Sequence, residues 1–333
     1  MKQIAIIGAG SWGTALAIVA ARAGHAVRLW SRNAAVVSSI NEQRVNSSYL
    51  SFTSIPEGVV ATDDFGMALT GASLVLIAVP SHAARETLNA AATSLDENAI
   101  IVSVTKGIEI ETTKRISEIV KEVVGSDHPF VSLSGPSFAK EVVDGHPTAI
   151  VAASKDSAAA RVVQNDLSFE NLRIYTNADV VGTELGGSVK NVIAIAAGMT
   201  AGLGFGANSN AALITRGLAE ITRLARREGA QMETLMGLAG LGDLVLTCTG
   251  SLSRNRFVGE ELGKGRSLAE ITAEMSEVAE GINTARAVKK LADRAGLEMP
   301  ITNEVNAVLY DGKPARDAVA ELMSRPLREE NPI

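Results

Sequence analysis

Lys190 and Asn191 stand inside the stretch Glu184 to Met199, which from Val189 onward is apolar on every side of a helix. A lysine ammonium cannot stay unpaired in a dry core, because desolvating it costs several kcal/mol even after relaxation. Either it reaches a cleft, where an ionisable group on a rigid helix can act as acid or base, or it snorkels from a helix start. Other polar groups could share a site with it. Lys106, in Thr105-Lys-Gly107, could meet a phosphate or a substrate oxygen; a surface lysine is the plainer alternative. Gly237 to Asp243 and Thr247 to Arg256 read as a polar, glycine-rich interruption among helices. Within it Ser253, Arg254 and Asn255 offer a hydroxyl, a guanidinium and an amide, a set suited to phosphate because arginine grips one bidentately. Asp243 could hold a substrate hydroxyl or pair with Lys190; alternatively it caps a helix while Arg254 pairs with an acid. Gly135-Pro-Ser137 turns into a helix from near Phe138 and could offer a second anion or carbonyl site, although a simple cap explains Ser137 equally well. His82 after a strand has no assigned role, and Cys248 is a nucleophile or, more commonly, a packed thiol.

These residues need a scaffold, and the first element of one is legible at the N-terminus. Ile4 to Ile7 is a β-rich apolar run followed by Gly8-Ala-Gly10-Ser-Trp-Gly13 and an apolar helical segment ending at Gly24. Gly8 permits the tight turn, Gly10 lets backbone approach a pyrophosphate, and Gly13 lets helix pack on strand. The helix N-terminus then faces phosphates, so this unit is expected to bind a dinucleotide. The second strand, Ala26 to Trp30, ends in Ser31-Arg32-Asn33, where an NAD-selective site usually places a carboxylate. Arg32 offers a planar cation to a 2′-phosphate, favouring or at least admitting NADP; a solvated loop arginine is the alternative.

Ser73 to Val79 and Ala99 to Val104 read as buried parallel strands, each ending in polar residues where open α/β sheets place ligands. Phe130 to Ser134, Thr148 to Ala153 and Leu172 to Thr176 complete the sheet. From about Val180 the pattern turns helical, including Thr215 to Glu228, Ser267 to Glu274, Gly281 to Ala295 and Asn303 to Tyr310. A dinucleotide domain over 1–180 and an all-helical substrate domain over 181–333, with the cleft between them, are therefore expected. Gly202 to Asn210 is expected to be a flexible loop near the site, and the tail after Arg325 to be solvated.

Composition supports a folded enzyme-sized chain. At 333 residues, 46% hydrophobic and 20% charged, it can bury two cores. A net charge of −6 without a basic run argues against nucleic acid as a general partner. The single Cys248 permits no internal disulfide and fits a reducing compartment. No leader pattern opens the chain and no apolar run reaches the length of a membrane span, so a cytoplasmic protein is expected. No metal site is expected.

Taken together, Gly8-Ala-Gly-Ser-Trp-Gly-Thr-Ala-Leu, Val79-Pro-Ser, Thr105-Lys-Gly, Leu133-Ser-Gly-Pro-Ser-Phe-Ala-Lys-Glu, Glu184-Leu-Gly-Gly-Ser-Val-Lys-Asn, Gly240-Leu-Gly-Asp-Leu and Ser253-Arg-Asn resemble the bacterial NAD(P)-dependent sn-glycerol-3-phosphate dehydrogenases nearly end to end. The resemblance implies a Rossmann domain followed by a helical domain akin to that of 6-phosphogluconate dehydrogenases. It implies reversible reduction of dihydroxyacetone phosphate to sn-glycerol 3-phosphate with NADPH or NADH, feeding phospholipid synthesis, and a homodimer. Lys190 would be the acid-base residue, with Lys106, Gly135, Ser137, Asp243, Ser253, Arg254 and Asn255 around the substrate. Ser11, Trp12, Arg32, Lys106, Ala139, Arg254, Val278 and Glu280 would line the cofactor site beside Gly8, Gly10 and Gly13. A sister reductase acting on another hydroxy acid or sugar phosphate, and a non-catalytic nucleotide sensor, are the rival readings.

Overall fold

A computed structural model describes all residues except Ser126, Asp127, Ser276, Arg328 and 331–333. Its first part is one sheet of eight strands: β1 (Gln3–Ile7), β2 (Ala26–Trp30), β3 (Val59–Thr62), β4 (Leu74–Ile77), β5 (Ile100–Ser103), β6 (Phe130–Ser134), β7 (Thr148–Ala153) and β8 (Leu172–Asn177). They are joined by α1 (Ser11–Arg22), α2 (Ala34–Gln43), α3 (Phe65–Leu69), α4 (Ala84–Ala91), α5 (Ile116–Val123), α6 (Ala139–Val143) and α7 (Ser157–Leu167). The order across the sheet is β3-β2-β1-β4-β5-β6-β7-β8, and every pair is parallel except β6 with β7. Order reverses between β1 and β4, so a crevice opens at their carboxyl ends, where α/β sheets bind ligands. Strands buried on both faces need apolar side chains in succession. Thus Ile4 and Ile6 enter one core with Leu16 and Ile18 of α1, while Ile7, Val75 and Ile77 enter the other with Leu88 of α4.

Helices follow: α8 (Val180–Gly202), α9 (Ala207–Arg227), α10 (Met232–Met236), α11 (Asp243–Thr249), α12 (Arg254–Gly263), α13 (Leu268–Glu274), α14 (Glu280–Ala295), α15 (Pro300–Tyr310) and α16 (Ala315–Met323). α8 is the axis. It is buried along nearly its whole length and packs against α9, α11, α12, α14 and α15, and against β6 of the sheet. Val189, Val192, Ile193 and Ile195 fill the core around it, each burial contributing about 1.5–3 kcal/mol. Asp179 starts the helix, its carboxylate accepting from Gly182 N at 2.8 Å.

Two expected loops are largely helical. Only residues 203–206 separate α8 from α9, so Ala207 to Asn210 form the first turn of α9 rather than a loop. Serine and asparagine suit a first turn, where their side chains do not compete with established helical bonds. Leu238 to Gly242 form one π-helical turn running straight into α11, and the real interruption is 250–253. Gly240 there serves close packing, since a Cβ on it would lie 2.1 Å from Leu235 O, and Gly186 of α8 does so opposite it, where a Cβ would lie 2.6 Å from Ala239 O. The expected helices at Thr215 and Asn303 begin earlier, at Ala207 and at Pro300, the latter a proline in the first turn, where its missing N–H is harmless. β3 has no counterpart among the strands read from sequence. In the tail Pro326, Leu327, Glu329 and Glu330 are exposed, as expected; Arg328 and 331–333 lie outside the described residues. Among the described residues, no helix is long and apolar enough to cross a membrane.

Candidate active site

Lys190 points from the middle of α8 at Asp243, the first residue of α11, with Nζ 2.5 Å from Oδ1. Asp243 Oδ2 accepts from Lys106 Nζ at 2.7 Å, so one buried carboxylate holds two ammonium groups, one from each domain. Lys190 also donates to Thr247 Oγ1 at 2.6 Å, and Lys106 to the Gly135 carbonyl at 2.9 Å. An ammonium has three N–H donors. With two used, each lysine keeps one for a ligand oxygen. The sequence left Asp243 open between substrate hydroxyl, lysine partner and helix cap; here it is the lysine partner, and Gly242 occupies the N-cap position of α11.

Burial lowers the Lys190 pKa to about 8, aided by the Lys106 charge and opposed by Asp243. At neutral pH most molecules therefore carry the ammonium, close to its point of switching. Cys248 is buried nearby, and desolvation pushes its thiol up to about 12, which leaves it a packed thiol rather than a nucleophile.

Glycine backbone makes room for this arrangement. Gly135 sits at φ +137 between β6 and α6, a region that favours glycine, and its carbonyl accepts from both Lys106 and Ser137 Oγ, the latter at 2.9 Å. Ser137 therefore does not cap α6, whose N-cap is Phe138. A Cβ on Gly187 of α8 would lie 2.5 Å from Ser134 Oγ, so glycine there lets α8 lie against the end of β6 beside Lys106.

The remaining expected residues divide. Ser253 caps α12, accepting from Arg256 N at 3.2 Å. Arg254 is half exposed at the start of α12 and donates through Nη1 to Glu277 at 2.7 Å, the acid pairing the sequence left open. Asn255 faces inward and brackets two helices: its Nδ2 donates to Asn191 Oδ1 at 3.0 Å and its Oδ1 accepts from Gly281 N at 2.9 Å. Arg32 is exposed just past β2, Ala139 opens α6, and Val278 is exposed ahead of α14. Glu280 opens α14 and accepts from Ser81 N at 3.1 Å and Ser81 Oγ at 2.6 Å, while burial raises its carboxyl pKa. Ser81, Thr247 and Glu277 have no assigned role in the sequence. Ser81 belongs to the Val79-Pro-Ser motif, and a helical offset of four from Asp243 places Thr247 on the same face of α11; Glu277 carries no such signal.

Whether a dinucleotide fits can be tested at the glycine turn. Gly8 has φ +116, and a Cβ there would lie 2.7 Å from Ala78 O; a Cβ on Gly13 would lie 1.9 Å from Gly8 O. By contrast, a Cβ on Gly10 would meet nothing within 4 Å, and α1 has no side-chain cap. The backbone at Gly10 is thus open and the first turn of α1, with Ser11 and Trp12, has no side-chain cap on its amides, features that suit a dinucleotide phosphate. A separate cavity of about 110 Å³ lies at Thr112 to Arg115 and Arg294, away from Lys190. Its Lys114 and Arg115 are paired with Glu122 and Glu184, and its Arg294 donates to Thr113 Oγ1.

The profile described as NAD-dependent glycerol-3-phosphate dehydrogenase N-terminus matches residues 3–160, and its C-terminus counterpart matches residues 179–320. Among curated relatives, a glycerol-3-phosphate dehydrogenase [NAD(P)+] of Koribacter versatilis is 55% identical, covering 99% of each chain, and one of a Geobacter species is 50% identical with the same coverage. The crystal structure of glycerol-3-phosphate dehydrogenase from Coxiella burnetii superposes with a TM-score of 0.94 at 42% identity, covering 97% of this chain and 99% of that one. A ketopantoate reductase from Ralstonia eutropha, 18% identical with a TM-score of 0.61, covering 96% of this chain and 99% of that one, shares the fold alone. With both profiles matched and half the residues identical from end to end, the chain belongs to the NAD(P)-dependent glycerol-3-phosphate dehydrogenase family.

Proposed function

We propose that the protein reversibly reduces dihydroxyacetone phosphate to sn-glycerol 3-phosphate with Lys190 as its acid-base residue. The observation that carries this is the shared carboxylate of Asp243, which holds the Lys190 and Lys106 ammonium groups side by side, each with one N–H beyond those its protein partners use. A bound nicotinamide cofactor supplies the hydride. As charge grows on the substrate oxygen, the Lys190 ammonium stabilises it and gives up a proton; in the reverse direction the amine accepts one. Lys106 adds a second cation, and Asp243 holds both in place. Gly135 and Ser137 bound the substrate on the sheet side, while Ser253, Arg254 and Asn255 at the α12 start take its phosphate, which fixes the carbonyl relative to the hydride donor.

Gly8, Gly10, Ser11, Trp12, Gly13, Ala139, Val278 and Glu280 form the cofactor wall in this reading, with Lys106 and Arg254 shared between ligands. Arg32, exposed at the β2 end, admits the 2′-phosphate of NADP. The reading uses domains 1–180 and 181–333 and carries a homodimer, cytoplasmic residence and supply of phospholipid synthesis; sedimentation of the purified chain tests the dimer.

Absorbance of NADPH on adding dihydroxyacetone phosphate tests the activity. Lys190→Ala is expected to lose turnover by about 10² to 10⁴-fold while circular dichroism and cofactor binding stay intact. Near-normal turnover would remove Lys190 from the chemistry. In the same assay, a clear preference for NADH would remove Arg32 from cofactor selection.

A further inference from the structure

One carboxylate links the two groups that the proposed function gives to ligand phosphates. Glu277 Oε1 accepts from Ser11 Oγ at 2.8 Å, and its Oε2 accepts from Arg254 Nη1 at 2.7 Å. Ser11 opens α1 at the glycine turn, and Arg254 opens α12 in the helical domain. The carboxylate thus sits between the side chains of the first residues of α1 and α12, a hydroxyl and a guanidinium, groups that bind an anion. It belongs to the segment leading into α14, which Glu280 fastens to the sheet through Ser81. That segment therefore touches the first residue of α1 and the turn after β4.

We propose that Glu277 is an internal competitor for the phosphates of both ligands, and so a residue that sets their affinity. The inference rests on the reading of the α1 start, where Ser11 belongs to the cofactor wall, as the pyrophosphate site and of Arg254 as a holder of the substrate phosphate. A phosphate gripped bidentately by Arg254 needs the guanidinium edge that Glu277 now engages, and a pyrophosphate at α1 meets the same negative charge. Either ligand must displace the carboxylate, and each binds more weakly for it. The ion pair is half exposed at Arg254, so the effect is moderate.

Glu277→Gln keeps the side-chain length and removes the charge. We expect the Kd for NADPH, read by fluorescence titration, and the KM for dihydroxyacetone phosphate each to fall by about threefold to tenfold, with kcat retained. Inorganic phosphate should inhibit the variant at correspondingly lower concentration. Glu277→Ala should show the same gains, separating loss of charge from new contacts of the amide. Unchanged or raised constants in both variants, with Arg254→Lys raising the KM, overturn the competition and make Glu277 a support that positions Arg254. An Arg254→Lys enzyme with an unaltered KM takes down the assignment of Arg254 itself, and the competition at that residue with it.

Discussion

Lys190 is balanced between burial and charge. Burial alone favours the amine, and Asp243 alone favours the ammonium; the balance at about 8 leaves either form accessible near neutrality. With Lys190 as the acid-base residue we propose, ketone reduction needs the ammonium, so its rate should fall as pH rises through about 8, whereas alcohol oxidation needs the amine and should rise through the same range. Asp243→Asn removes the charge that opposes burial, so both limbs should move to lower pH. A pH-rate profile in each direction checks this, and limbs that stay fixed or move upward would contradict it. Asp243 is also the point where residues far apart in the chain meet. Lys106 stands 137 positions from it and Lys190 stands 53, so neither pairing belongs to a local pattern.

Helix α8 can carry that lysine because its neighbours approach unusually closely. At its crossing with α12, a Cβ on Gly198 would lie 2.0 Å from Arg256 O, one on Gly202 would lie 2.1 Å from Glu260 O, and one on Gly259 would lie 1.9 Å from Ile195 O. Glycine inside a helix costs roughly 1 kcal/mol against alanine, so these positions give up helix propensity for backbone contact. The contact places the α12 start, with Ser253, Arg254 and Asn255, beside the middle of α8. Gly259→Ala should push the helices apart, destabilising the fold by about 1–3 kcal/mol or more in urea and raising the KM for dihydroxyacetone phosphate. An unaltered urea midpoint would show that the crossing yields without strain. At its other end α8 is fixed to the sheet domain by Glu184, which accepts from Arg115 Nη1 at 2.7 Å and from Ser117 N at 2.7 Å.

The whole molecule contains several buried acids whose environments raise their pKa. Desolvation is the largest cause at Glu184, Glu220 and Glu280. A carboxyl raised above its unfolded value of 4.5 contributes stability that is fully present below that value and is lost as pH rises through the folded value. Glu220 accepts from Ile301 N at 2.7 Å and ties α9 to the start of α15, outside the candidate site. Glu220→Gln retains an acceptor there without the titration. The loss of unfolding free energy between about pH 5 and about pH 8 should therefore be smaller in the variant. Denaturant unfolding at the two pH values measures it, and an unchanged difference would mean that Glu220 does not titrate in the fold.

Much of this architecture is local in origin and therefore readable from sequence. The strand, glycine turn and helix from Gln3 to Arg22 are neighbours along the chain, and their spacing reports their geometry. The apolar periodicity of α8 likewise announces a buried helix, and Lys190 and Asn191 break it visibly. Periodicity says that a residue is buried, not what faces it. Hence the choice of Asp243 as partner of Lys190 from the alternatives the sequence left open was made only in the tertiary structure, which also revealed the second ammonium on Asp243, the identity of Glu277 as the acid on Arg254 and the bracket made by Asn255. Glycine carries the same ambiguity. In sequence, Gly237 to Gly242 read as a glycine-rich interruption; in the fold Gly240 is tightly packed against Leu235 while Gly237 and Gly242 have ordinary contacts, because a glycine's role is decided by the atoms that approach it from elsewhere in the fold.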